Sequence, residues 1–125
     1  MTRILVIDDD LQTRDVLRQM LERAGYEVVE AGDGREGVQS FRTAPADLVI
    51  TDQTMPHMSD EALSYELRCL CQDIPIILCT GFNHVMTPEK AQRLGVDAFC
   101  MKPLRIRDLS VMIRHVLAQR AARES

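Results

Sequence analysis

The sequence has no tryptophan, only two tyrosines and three phenylalanines, and no excess of positive charge across its 125 residues. With a formal net charge of −4, a general electrostatic attraction to nucleic acid is not expected. No apolar run approaches the roughly 20 residues that a membrane span needs, so no membrane insertion is expected. Met1-Thr2-Arg3 leads directly into an apolar stretch too short for the core of a signal peptide, and a cytoplasmic protein is expected. The four cysteines, Cys69, Cys71, Cys79 and Cys100, include no C-x-x-C pair and read as reduced structural thiols. The histidines His57, His84 and His115 form neither a metal set nor a phosphotransfer helix. There is no linker, repeat or low-complexity stretch, and the length suits one domain with its own core.

What is present is an alternation of two periods. Short apolar runs, rich in β-branched residues, are Ile4-Leu5-Val6-Ile7, Val28-Val29, Leu48-Val49-Ile50, Ile74 to Leu78, and Ala98-Phe99-Cys100. Between them lie segments of helical spacing. The first carries Val16, Leu17, Met20, Leu21 and Ala24 and stops at Gly25. The second runs from about Arg35 to Arg42 with Val38 and Phe41 inward. The third, entered through Ser59 as N-cap, has Leu63, Leu67 and Leu70 on one stripe. The fourth starts at Thr87-Pro88-Glu89 and ends at Gly95, and the last holds Ile106, Leu109, Ile113, Val116 and Leu117. The tail from about Ala118 is polar and expected to fray. The arginines Arg105, Arg107, Arg114, Arg120 and Arg123 read as a solvated helix face.

Five strands alternating with five helices, the strands apolar on both faces, predict a parallel sheet covered by helices. In such sheets ligands sit beyond the carboxyl ends of the strands, near the point where strand order reverses. Asp8-Asp9-Asp10 follows the first strand, Thr51-Asp52-Gln53-Thr54-Met55-Pro56 spans the end of the third, Thr80-Gly81 ends the fourth, and Met101-Lys102-Pro103 the fifth. Carboxylates gathered on one rim repel, and a hard divalent ion such as Mg²⁺, which takes oxygen ligands and pairs carboxylates with phosphate oxygens, answers that problem. Asp10 also reads as the N-cap of the first helix. An acidic loop alone can be only a cap. Two acidic strand ends joined by a Lys-Pro and a Thr-Gly on the same rim point to a Mg²⁺ and phosphoryl site.

In this order, each at a strand end, the motifs make the chain resemble the receiver domains of bacterial response regulators over essentially its whole length. The resemblance implies a doubly wound three-layer α/β sandwich with sheet order 2-1-3-4-5. It implies that Asp52 is the phosphoacceptor, that Asp9 and Asp52 ligate Mg²⁺ with Asp8 acting through water, and that the Thr54 carbonyl completes the protein ligands. Thr80 matches the switch hydroxyl, Phe99 the switch aromatic and Lys102 the family's lysine, with a cis peptide between Lys102 and Pro103. The implied phosphodonor is a sensor histidine kinase or a histidine phosphotransfer protein. A downstream partner is implied on the face of the fourth helix, fifth strand and fifth helix, with the chain a monomer or weak homodimer. Such a domain assists its own phosphorylation and dephosphorylation and is not an enzyme in the usual sense. Gln53, Thr54 and Phe82 line the approach to the phosphoryl group and are expected to tune its hydrolysis. Asp60 stands where relatives commonly carry glycine. The sequences around Asp52 and Thr80 resemble receivers attached to hybrid kinases, alongside the stand-alone alternative.

Two other classes compete. Gly32-Asp33-Gly34-Arg35-Glu36-Gly37 is a literal G-x-G-x-x-G, but it follows the second strand, while the place a dinucleotide's pyrophosphate would take holds three aspartates. Asp33-Gly34 reads instead as a turn with an N-cap. An aspartate-nucleophile phosphohydrolase would find its paired acids in Asp8 and Asp10, but no insertion is present to enclose a substrate.

Overall fold

A computed structural model describes residues 1–53, 58–81 and 86–124. The apolar runs form strands β1 (Arg3–Ile7), β2 (Glu27–Ala31), β3 (Leu48–Asp52), β4 (Ile76–Thr80) and β5 (Ala98–Met101). The periodic segments form helices α1 (Leu11–Arg23), α2 (Gly34–Thr43), α3 (Asp60–Leu70), α4 (Pro88–Leu94) and α5 (Ile106–Glu124). All four strand pairings are parallel, in the order β2-β1-β3-β4-β5. The chain steps outward from β1 to β2, then returns past β1 to β3. That reversal puts α1 and α5 on one face of the sheet and α2, α3 and α4 on the other.

Because strand side chains alternate, each strand feeds two cores. On the α1/α5 side Ile4, Val6, Leu48, Ile50, Ile77, Cys79 and Cys100 meet Leu17, Leu21, Leu109, Ile113 and Val116. On the other side Leu5, Ile7, Val49, Ile76 and Leu78 meet Val38, Phe41, Leu63, Leu67 and Ala91. Each fully buried aliphatic side chain contributes about 1.5–3 kcal/mol over its exposed form, so burial on both faces fixes the register.

Capping follows the sequence signals. Asp10, Asp33, Ser59 and Thr87 accept the backbone N–H groups of Thr13, Glu36, Ala62 and Lys90 at the starts of α1, α2, α3 and α4. Gly95 closes α4 with φ +80°, a left-handed conformation that other residues adopt only at a cost. The G-x-G-x-x-G stretch is packing and capping. A Cβ on Gly37 would stand 2.4 Å from Ile7 Cδ1, and Glu36 Oε2 accepts the Gly32 N–H at 3.1 Å.

Several expectations are corrected. Val16, placed on the inward stripe of α1, is 53% exposed, and Leu70 at the end of α3 is also exposed. Leu17 and Leu21, one turn apart, define the stripe alone, and Val16 falls to its edge. The tail expected to fray is drawn as helix, α5 continuing to Glu124. Arg120 holds it there instead of pointing to solvent, donating to the Asp47 carbonyl at 3.0 Å and pairing with Asp73 and Glu124. The other four arginines are exposed, as is His115. Cys79 and Cys100 are buried and Cys69 exposed, all of them free thiols. Thr54, Met55, Pro56, His57, Phe82, Asn83 and His84 lie outside the described residues. No helix among the described residues is long and apolar enough to cross a membrane.

Candidate functional site

The site is built by register. Ile7 faces Thr51 across β1 and β3, so Asp8, one residue on, comes level with Asp52. Asp52 in turn faces Cys79, and Cys79 faces Cys100. Asp8, Asp52, Cys79 and Cys100 therefore form one transverse row at the carboxyl ends of four strands. Two residues back on the same face, Val6 and Ile50 are fully buried. These two carboxylates sit where packing ends and the rim begins.

Asp8, Asp9 and Asp52 each offer a carboxylate oxygen within 4.8 Å of the others. Asp8 is only 4% exposed, and its backbone and side chain are both held. The Asp10 N–H donates to Asp8 Oδ1 at 2.9 Å, and Arg14 donates to the Asp8 carbonyl at 2.7 Å. Burial raises the Asp8 carboxyl above the usual carboxylate range, and the charges of Asp52 and Asp9 add to that. Lys102 Nζ lies 2.8 Å from Asp52 Oδ1. Burial alone pulls the Lys102 ammonium down, but the hydrogen bond and charge of Asp52 outweigh it, and its pKa is raised. The peptide between Lys102 and Pro103 is cis, as the resemblance implied.

One lysine does not neutralise three carboxylates. The donor set is oxygen only, and one of the carboxylates is almost fully buried, its pKa raised by that burial and by the neighbouring carboxylates. That is the environment a hard divalent cation fits, with Asp8, Asp9 and Asp52 as candidate ligands. Asp10, by contrast, is committed to the start of α1, where its carboxylate accepts from the Thr13 hydroxyl and N–H.

Thr80, at the end of β4, is 0% exposed, and its Oγ1 has no hydrogen-bond partner. It lies opposite Met101, two residues beyond the Leu78–Phe99 pair, so Thr80 and Phe99 share the α4 side of the sheet. Phe99 is half-buried against that core, in a groove with Pro88, Ala91, Gln92 and Val96. Two features were not legible in the sequence. One is Arg14, whose clue was a basic residue one turn into the helix after the acidic pair. The other is an apolar groove of about 470 Å³ beside Lys102, lined by Val16, Leu17, Met20 and Leu104 among others.

Fold and rim together define a doubly wound parallel α/β domain, with an acidic, lysine-tethered site at its switch point. The family described as response regulator receiver domain matches residues 4–114. The chain is 36% identical over 115 residues to the probable transcriptional regulator ycf27 of Cyanophora paradoxa, covering 92% of this chain and 48% of that protein. It is 32% identical over 115 residues to the transcriptional regulatory protein ZraR of Escherichia coli K12, covering 92% of this chain and 26% of that one. The chain thus spans about half, or less, of the length of these curated relatives. Among solved structures, a response regulator receiver domain protein from Clostridium thermocellum superposes with a TM-score of 0.88 at 28% identity, covering 98% of both chains. A CheY-like receiver domain protein from Methanospirillum hungatei gives 0.87 at 30%, again covering 98% of both. The chain belongs to the response regulator receiver domain family. It is a phosphorelay signalling domain, and that class implies a histidine kinase or phosphotransfer partner.

Proposed function

We propose that Asp52 is the phosphoacceptor, and the observation that carries this is its position between the Lys102 ammonium and the Asp8–Asp9 pair. The Asp52 carboxylate attacks the phosphorus of a phosphohistidine. The P–N bond breaks, the imidazole leaves with its electron pair and takes a proton from solvent, and an acyl phosphate forms on Asp52. Lys102 follows the charge from the carboxylate to a phosphoryl oxygen, since it already sits within hydrogen-bond distance of the attacked group. Asp8, Asp9 and Asp52, with the Thr54 carbonyl, would hold Mg²⁺, which supplies charge stabilisation to the phosphoryl oxygens when bound.

The Thr80 hydroxyl then finds a new acceptor in a phosphoryl oxygen. Its withdrawal leaves room on the α4 side into which Phe99 turns, changing the surface of α4, β5 and α5. Exposed apolar side chains already lie there: Met101 is 52% exposed and Val111 is 55% exposed. This face fits a downstream partner, or an output region of a longer protein such as the relatives' names describe. The phosphodonor, a histidine kinase or histidine phosphotransfer protein, fits the apolar groove between α1 and Lys102, the side from which a phosphohistidine reaches Asp52. The domain is a stoichiometric acceptor, not a turnover catalyst. A phosphohydrolase using Asp8 and Asp10 is disfavoured because Asp10 is spent on capping α1.

The site of modification is tested by phosphorylating the domain with a small acyl phosphate, reducing it with borohydride and sequencing the peptides by mass spectrometry. Reduction should convert Asp52 alone to homoserine. Conversion at Asp8, Asp9 or Asp10 with Asp52 intact would refute the assignment. Lys102→Ala should slow the modification about 10²-fold, the usual effect of removing one preorganised charge partner.

A further inference from the structure

Arg14, one turn into α1, carries a guanidinium that is largely enclosed, its side chain only 17% exposed. Enclosing a cation is costly unless its donors are matched, and here two are. Its Nη1 donates to the Asp8 carbonyl at 2.7 Å, and its Nε donates to Glu30 Oε1 at 3.2 Å. Glu30 stands on β2 opposite Val6 of β1, so it faces the α1 side of the sheet. Gly32 leaves the guanidinium its room: a Cβ there would stand 3.3 Å from Arg14 Nη1. Asp8 is thereby held at three points. Its N–H donates to the Ala31 carbonyl at 3.1 Å, its Oδ1 accepts the Asp10 N–H at 2.9 Å, and its carbonyl accepts Arg14. That carbonyl belongs to the rigid peptide plane leading into Asp9, which is exposed. Holding the plane sets where the Asp9 carboxylate starts from.

We propose that Arg14 is a positioning residue for the cation site: anchored by Glu30, it fixes the Asp8–Asp9 peptide so that both carboxylates are presented to a divalent ion. Two effects of the guanidinium oppose each other. Its positive charge repels a cation bound nearby, so on charge alone its removal would tighten binding. Its hold on the Asp8 carbonyl spares the ion the ordering of its ligands, so on geometry its removal weakens binding. The two readings differ in sign, and positioning takes the second. The edge strand β2 then acts on the site through Glu30, without offering a ligand. This role rests on the reading of Asp8, Asp9 and Asp52 as cation ligands.

Calorimetric titration of the unphosphorylated domain with Mg²⁺ tests it. Arg14→Met keeps the apolar stem and loses both charge and donors; it should weaken Mg²⁺ binding about 10-fold. Arg14→Lys keeps the charge and part of the donor capacity, and should fall between that variant and the wild type. Glu30→Gln should weaken binding in the wild-type background and have no further effect in the Arg14→Met background, because the anchor acts only through the guanidinium. In the metal-free protein, the Asp10 amide should exchange with solvent several-fold faster in Arg14→Met, while the amides of β4 keep their wild-type rates. A residue that served stability alone would leave the affinity of the folded protein unmoved. Unchanged or tighter Mg²⁺ binding in Arg14→Met, an unchanged Asp10 exchange rate, or an equal effect of Glu30→Gln in both backgrounds would overturn the proposal. Should Arg14→Met fail to fold, Arg14→Lys and Glu30→Gln decide: weakened binding in both supports the role, and wild-type affinity in either refutes it. A wild type that binds no Mg²⁺ would strike the cation reading and this role with it. Wild-type binding with an indifferent Arg14→Met would strike the role alone.

Discussion

Asp60 opens α3, and its carboxyl does not behave as an ordinary surface carboxylate. Burial raises its carboxyl from 3.8 to about 6, with the charge of Asp52 adding to the effect. The native state therefore binds a proton more tightly than the unfolded chain does. The resulting stability is fully present below about pH 4 and is lost as pH rises through about 6. Urea unfolding in EDTA should show wild-type stability falling across that interval, while Asp60→Asn loses this part of the slope and is the more stable protein at pH 7. An unchanged slope in Asp60→Asn would assign the effect to another group. At this scale the sequence was informative where chemistry and position coincided. Asp8, Asp9, Asp52, Thr80 and Lys102 all follow or end strands, and the structure brings the three aspartates and the lysine to one rim. It could not show the partial burial of Asp60 or the reach of Gln53 to Met86, because both depend on neighbours distant in sequence.

Among the elements, α2 shows how a motif can carry a packing role in place of the one its pattern suggests. Gly37 lets the helix lie directly on β1, with Ile7 filling the space a side chain would need. Gly37→Ala should destabilise the domain by about 1–3 kcal/mol through overpacking, with circular dichroism of the folded state unchanged. A neutral effect, measured by urea unfolding, would mean that Ile7 has room to move. The periodic pattern gave the order and number of elements, and most boundaries within two residues. It erred where amphipathicity is weak. α5 runs to Glu124 through the polar tail, where the ion pairs of Arg120 with Asp73 and Glu124 are invisible to a hydrophobic pattern. Val16 was misplaced because it borders the stripe and lines the groove beside Lys102.

For the whole molecule the deciding fact is topological. The order β2-β1-β3-β4-β5 makes β1 and β3 neighbours, and only then do Asp8 and Asp52, 44 residues apart in sequence, share a site. Gathering those charges has a global cost that a cation should reverse. Mg²⁺ should raise the urea midpoint in proportion to its site occupancy, following the linkage between ligand binding and folding. Asp8→Asn should be more stable than wild type in EDTA, since it removes a buried charge, and should respond less to Mg²⁺. Equal Mg²⁺ responses in the two proteins would place the ion elsewhere. The central claim, that this rim makes Asp52 the phosphoryl acceptor, is tested most directly by intact-mass spectrometry after incubation with acetyl phosphate and Mg²⁺. The wild type should gain the mass of one phosphoryl group, EDTA should suppress the gain, and Asp52→Asn should show none. A full phosphoryl adduct on Asp52→Asn, or one formed equally well in EDTA, would contradict it.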